Sequence, residues 1–260
     1  MVNTYSAKEI ELLQMLYPDN PTKDIVKFFP NRSIYSLKEK AKSLKLHKVQ
    51  ATINYAHNKK YSINEDFFNV QSHDMYYILG FIYADGCIRL KDYRLEFHLK
   101  KTDRNLLSRI LSEMGSNHHI YDTDKSAKVV IANKNIYYSL LKYGLHDRKS
   151  LDLDFTYIPK EYMSDFIRGF FDGDGSVAKK HYYVKILGTK PFLEKLKGIL
   201  EYNGIKVHSI VEANPNKVDS SHLTYVLYIT KKDECEKFGN FIYQNNPKLY
   251  LGRKYIRFYT

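Results

Sequence analysis

The sequence predicts an α+β fold: two pseudo-symmetric αββαββα repeats preceded by a small three-helix unit. Three observations predict it. The stretch Ile78 to Gly86, ILGFIYADG, returns as Ile167 to Gly175, IRGFFDGDG. After each copy the same succession of strand-like alternation and helix-like spacing follows. Ahead of both lies a basic segment with helical spacing and no strand signal.

Each copy of the repeated stretch reads as the end of a helix. Gly80 and Ala84 in the first, and Gly169 and Gly173 in the second, stand four apart and stack on one helix face. Small side chains there let two backbones approach closely. Ile78, Leu79, Phe81 and Ile82, and Phe166, Ile167, Phe170 and Phe171, make both helices apolar almost all round, which predicts that both are buried. Asp85-Gly86 and Asp174-Gly175 end them, and the glycines suit the left-handed position that closes a helix. An aspartate there joins the negative end of the macrodipole, so two such ends side by side repel unless a cation lies between them. Carboxylates and free helix-end carbonyls are hard oxygen ligands, suited to magnesium or calcium. Taken singly, each copy is equally a packing device followed by a common turn dipeptide. Two copies in register, with their aspartates 89 residues apart (174 − 85), make the metal reading the stronger.

These residues resemble the LAGLIDADG homing endonuclease family in its single-chain, two-motif form. The resemblance covers residues 72 to about 260. The second copy departs from the usual pattern at Arg168, and the first at Tyr83, where an earlier aspartate is usual.

The resemblance implies that Asp85 and Asp174, with the carbonyls of Ala84 and Gly173, hold Mg2+ or another divalent cation. It also implies a lysine near each scissile phosphate, for which Lys149 and Lys254 are the candidates within the pairs Arg148-Lys149 and Arg253-Lys254. Lys101 falls where the family keeps a residue that orders the attacking water, although its second-half counterpart is Gly188. The implied activity is a metal-dependent staggered double-strand break at a long asymmetric DNA target, with the four-stranded sheets forming a saddle over the duplex.

Composition agrees with a polyanionic partner. The chain has 260 residues, 43% of them apolar, and a formal charge of +12, enough to bury a core and to favour nucleic acid. No stretch is long and apolar enough for a membrane span, and MVNTYSAKEI does not read as a signal peptide, so an intracellular protein without a membrane partner is expected. Cys87 and Cys235 have no metal spacing and are expected to be reduced, buried thiols. Most of the 24 tyrosines are read as core and sheet residues.

Residues 1–48 form the predicted three-helix unit. Ser6 and Glu9 make a capping box before Ile10, Leu13 and Leu16. A short second helix carries Ile25, Val26 and Phe29. A third begins at Ser33, with Ile34, Leu37, Ala41 and Leu44 inward and Arg32, Lys38, Lys42 and Lys45 outward. The stretch NRSIYSLKEKAKSLKL resembles a Myb/SANT-like helix-turn-helix. It is read either as a DNA contact, through Arg32, Lys38 and Lys42, or as the solvated face of an accessory bundle. Residues 1–60 hold 10 Lys, 1 Arg and 5 acids, a net charge of 11 − 5 = +6. Residues 49–71 read as a linker, in which Asn58, Lys59 and Lys60 either track phosphates or are merely solvated.

The first repeat is placed at 72–158 and the second at 159–260. Ser72 caps the first motif helix. Leu95, Phe97 and Leu99 alternate with Arg94, Glu96, His98 and Lys100 in the second strand, and a ribbon of this kind fits the major groove. Arg89, Arg94, His98 and Lys100, with Lys179 and Lys185 in the second repeat, are the candidate duplex contacts. Helices follow at Asp103 to Met114 and Asn135 to Tyr143, mirrored at Phe192 to Tyr202 and Asp233 to Tyr243. A monomer acting on double-stranded DNA is expected, with intron RNA as a further partner if the chain serves as a maturase. A non-cleaving regulator on the same fold is the other reading, and retention of both carboxylates argues against it. A third reading makes the basic N-terminal unit the main specificity module and the rest a scaffold.

Overall fold

The computed structural model describes residues 4–49, 61–147, 153–178, 182–213 and 224–259. The N-terminal unit is α1 (Ala7–Leu16), α2 (Thr22–Ile25), a 3-10 turn and α3 (Ile34–Ser43). Its capping box forms as the sequence predicts: the Glu9 amide donates to Ser6 Oγ, and the Ser6 amide to Glu9 Oε2. Leu13, Ile25, Phe29, Leu37 and Ala41 make a core of their own. Ile34 faces solvent instead of that core, 40% exposed, because the cap at Ser33 starts the helix with this position turned outward.

Each later half runs helix, two strands, helix, two strands, helix. The first has α4 (His73–Asp85), β1 (Gly86–Arg89), β2 (Arg94–Lys100), α5 (Arg104–Glu113), β3 (Ile120–Asp122), β4 (Ser126–Ala132) and α6 (Lys134–Leu141). The second has α7 (Met163–Asp174), β5 (Gly175–Ala178), β6 (Tyr183–Gly188), α8 (Lys190–Tyr202), β7 (Ser209–Glu212), β8 (Tyr225–Thr230) and α9 (Lys232–Ile242). A further helix, α10 (Gly252–Tyr259), was not foreseen. Both sheets are antiparallel, ordered β1-β2-β4-β3 and β5-β6-β8-β7, so the second repeats the topology of the first.

The two halves share one hydrophobic cluster, built around α4 against α7. Residues 75–83 and 164–172 are buried without a break; the first run is apolar apart from its tyrosine hydroxyls, whereas the second also buries Ser164, Asp165, Arg168 and Asp172. Two glycines permit the contact: a Cβ on Gly80 would stand 2.0 Å from the Phe166 carbonyl oxygen, and one on Gly169 would stand 2.0 Å from that of Tyr77.

Gly86 and Gly175 serve differently from expectation. Both have extended backbone (φ −76° and −94°) and begin a strand; their missing side chains make room for Ile82 and Phe171. The supposed linker is also corrected over its described part. Phe67 and Phe68 enter the main core, 8% and 1% exposed, and the Ser62 amide donates to Asn117 Oδ1. Asn58, Lys59 and Lys60 lie outside the described residues.

Candidate functional site

The sequence places an aspartate at the end of each of two buried helices, and the packing brings those ends together. A Cβ on Gly173 would stand 2.3 Å from that of Ala84, 3.3 Å from the Asp85 amide nitrogen and 3.4 Å from the Asp85 carboxyl carbon. Asp85 is exposed and Asp174 half-buried, so the paired ends open to solvent. Two carboxylates and the terminal carbonyls of two helices therefore share one small region. This donor set, oxygen only and at the negative ends of two dipoles, fits a hard divalent cation. Among the described residues, no three His, Cys, Asp or Glu side chains converge on a metal position, so a cation here would complete its shell with backbone oxygens and water.

Lys254 lies beneath these ends. It was expected beside a phosphate, but it is 4% exposed, and its ammonium donates to the carbonyls of Phe171, Asp172 and Gly173 at 2.8, 2.7 and 3.3 Å. Its physical role is to satisfy the carbonyls that end α7. Burial pushes its pKa down to about 8, against the upward pull of Asp172, Asp85 and Asp174. Arg253 turns the other way and grips the buried Asp103 at the start of α5, with Nε to both carboxylate oxygens at 3.0 Å and Nη2 to Oδ2 at 2.9 Å.

Residues 248–254 thus form a strap over both halves. Arg109 of α5 donates to the carbonyls of Lys248 (2.7 Å) and Tyr250 (2.9 Å), while Arg168 of α7 donates to that of Leu249 (2.9 Å). The Leu251 amide donates to Asp172 Oδ2, which also accepts from Tyr77. Burial pushes the Asp172 carboxyl up to about 6, and among the described residues its Oδ1 has no hydrogen-bond partner.

Residues 161–243 match the profile of the LAGLIDADG-like domain. The similarity to that domain lies within the second half of the chain. Among curated proteins, the chain is 24% identical over 177 residues to a probable translation initiation factor IF-2 of Methanocaldococcus jannaschii, covering 64% of this chain and 14% of that protein. It is 26% identical over 148 residues to a DNA polymerase of Thermococcus hydrothermalis, covering 54% and 9%. The chain therefore spans a small part of the curated relatives it matches. Solved structures similar to it include I-DmoI in complex with DNA and Ca (20% identity, 70% of this chain, 92% of that one, TM-score 0.47). The LAGLIDADG meganuclease I-AabMI bound to uncleaved DNA gives 14%, 71%, 87% and 0.48. WhiA from Thermatoga maritima gives 19%, 69%, 59% and 0.44.

The two departures from the LAGLIDADG pattern now have physical reasons. Arg168 is 1% exposed and fully engaged, with Nε on Leu249, Nη1 on the Ile242 carbonyl and Nη2 on Asp165, so it ties the LAGLIDADG-like helix to the strap. Tyr83 is buried, and its hydroxyl donates to the Tyr143 carbonyl, anchoring the chain that follows α6.

The remaining candidates divide. Arg89, Arg94, His98 and Lys100 alternate with buried residues along β1 and β2, and Lys185 lies on the corresponding face of β6 in the LAGLIDADG-like half. Lys101 pairs with Asp122 at 3.0 Å. Arg32 is corrected: its guanidinium is 6% exposed, paired with Glu9 at 2.8 Å and stacked on Tyr5, so it holds the N-terminal unit together instead of facing outward. Lys38 and Lys42 are exposed. Lys149 and Lys179 lie outside the described residues. Cys87, expected to be buried, is exposed, whereas Cys235 is buried and its thiol is pushed up to about 11. Sequence reasoning missed Asp103, Asp172 and Arg109; Asp172 stands two places before Asp174, but nothing local marks the other two.

Proposed function

We propose that the chain is a site-specific DNA endonuclease that makes a staggered double-strand break. The observation that carries this reading is the apposition of two aspartate-ended helices at Gly173 and Ala84. Asp85 and Asp174 and the carbonyls of Ala84 and Gly173 would hold divalent ions, magnesium foremost. When bound, such ions polarise a phosphodiester and lower the pKa of an attacking water.

The chain's own residues prepare that chemistry. The glycine contacts fix the spacing of the two carboxylates, and the buried Lys254 ammonium keeps the α7 carbonyls ordered without reaching solvent. Arg253, through Asp103, holds the first half to the same strap. Since one carboxylate belongs to each half and the halves differ in sequence, the target should be long and asymmetric, with one cut per strand. Lys38 and Lys42 of the N-terminal unit, read as helix-turn-helix-like, add phosphate contacts outside the central saddle.

The test is cleavage of a random duplex library in magnesium by the wild type and by Asp85→Asn and Asp174→Asn. Paired nicks at one long site, with cutting lost in each variant, are the expected result. Specific binding without cutting, unchanged by either substitution, would reject the endonuclease.

A further inference from the structure

The outward faces of the two sheets differ in chemistry although their topology is the same. On the first, Arg89, Arg94, Lys100 and Lys128 share one side with Glu96 and Tyr121, fixed there by the pairings Arg89↔Arg94, Arg94↔Ala132, Lys100↔Ser126 and Tyr121↔Lys128; Arg89 and Arg94 also pair with Asp92, and Arg94 and Lys128 with Glu96. On the second, strand parity puts Lys185 outward together with Tyr183, Leu187, Tyr228 and Val211. Leu187 is 40% exposed and Val211 44%, large apolar side chains turned to solvent. Lys185 is the one described outward cation of β5 to β8. Its ammonium stands over the Tyr183 ring (4.9 Å) and the Tyr228 ring (5.5 Å).

β1 and β5 leave directly from the two aspartate-ended helices, so a duplex lying on both carboxylates must also lie across both faces. A cationic face gains affinity by displacing counterions from phosphates. Among the described residues, a face whose one lysine stands beside apolar side chains and the hydroxyls of Ser176, Ser209 and Thr230 gains less that way. The apolar group that a base pair offers in the major groove is the thymine C5-methyl.

We propose that the second sheet reads a thymine-rich half-site through methyl contacts with Leu187 and Val211, while the first sheet binds its half-site mainly by charge. This rests on the endonuclease reading above and adds the composition of the target.

The test begins with the duplex selected from a random library. Cys87 is exposed on the first sheet and Cys235 is buried, so a photoactivatable thiol reagent on Cys87 marks which half of the target lies beneath the first sheet. Thymine is then replaced by deoxyuridine, which lacks the methyl, in one half at a time, and binding is followed by fluorescence anisotropy in calcium. In the half away from the Cys87 crosslink, affinity should fall about fourfold for each buried methyl lost. In the crosslinked half it should stay within about twofold. Leu187→Ala with Val211→Ala should bind the thymine and deoxyuridine duplexes alike. Equal sensitivity in both halves, or no thymine excess in the far half, overturns the proposal and leaves the endonuclease reading standing. Absence of any duplex binding overturns both.

Discussion

Gly169 shows what one missing methyl group does. Its substitution by Ala would drive a Cβ to 2.0 Å from the Tyr77 carbonyl oxygen, and that neighbour is backbone, with no rotamer to escape through. Gly198, in the exposed middle of α8, has nothing within 4 Å of its Cβ position. Gly169→Ala should therefore destabilise by about 3 kcal/mol or more through overpacking, whereas Gly198→Ala should stabilise by about 0.5–1 kcal/mol through helix propensity. Urea unfolding of the two variants beside the wild type gives both signs, and equal effects would refute the close-packing account. The glycines and their spacing were legible in the sequence because small residues four apart are a local pattern. Arg32 and Lys254 were not, because their partners are distant: Glu9 lies 23 residues from Arg32, and the Phe171 carbonyl lies 83 residues from Lys254. Charge alone placed both at the surface. Cys87 could have been placed correctly, since it shares strand parity with Arg89.

Among the elements, the end of the N-terminal unit carries a charge that is costly to keep. Lys48 folds back over the Tyr17 ring and donates to the carbonyls of Tyr17 and Asn20. Burial pushes its pKa down from 10.5 to about 8. Below pH 8 the amine is charged in both states, and the full cost of burying that charge is felt. Between pH 8 and 10.5 the unfolded chain binds more protons than the folded one, so stability rises with pH across this window. Chemical unfolding of the wild type and Lys48→Met from pH 7 to 10 should show the wild type gaining on the variant as pH increases; a constant difference would exclude the buried-charge account. Element type was readable wherever periodicity ran long, as in β2 with Leu95, Phe97 and Leu99. It failed at Phe67 and Phe68, two apolar residues in a polar run, and at α10, only eight residues long, although its aromatic and basic residues do alternate at helical spacing. The burial of those elements comes from partners far along the chain.

At the scale of the whole molecule, the N-terminal unit has its own core and the two halves share another. Among the described residues, Lys134 of α6 joins the two bodies through the Asp19 carbonyl and Asn20 Oδ1. Removal of residues 1–49 should leave the central fold intact, lower DNA affinity and flatten its salt dependence by about two to three counterions, with cut position unchanged. Binding isotherms over a salt series, with mapping of the cut ends, check this, and a moved cut site would make the N-terminal unit the specificity module. The doubled architecture was legible because repetition is itself a sequence signal, whereas the chemical contrast between the sheet faces needed the register.

The strap has a consequence in folding kinetics. Arg253 meets Asp103 across 150 residues, and Arg109 meets Tyr250 across 141. Closures of such length come late, after local helices and hairpins have formed. The contact of Lys254 with the carbonyls that end α7, carried by the same strap, therefore completes late. On the endonuclease reading proposed above, a chain in which the strap has not yet closed should leave a duplex uncut.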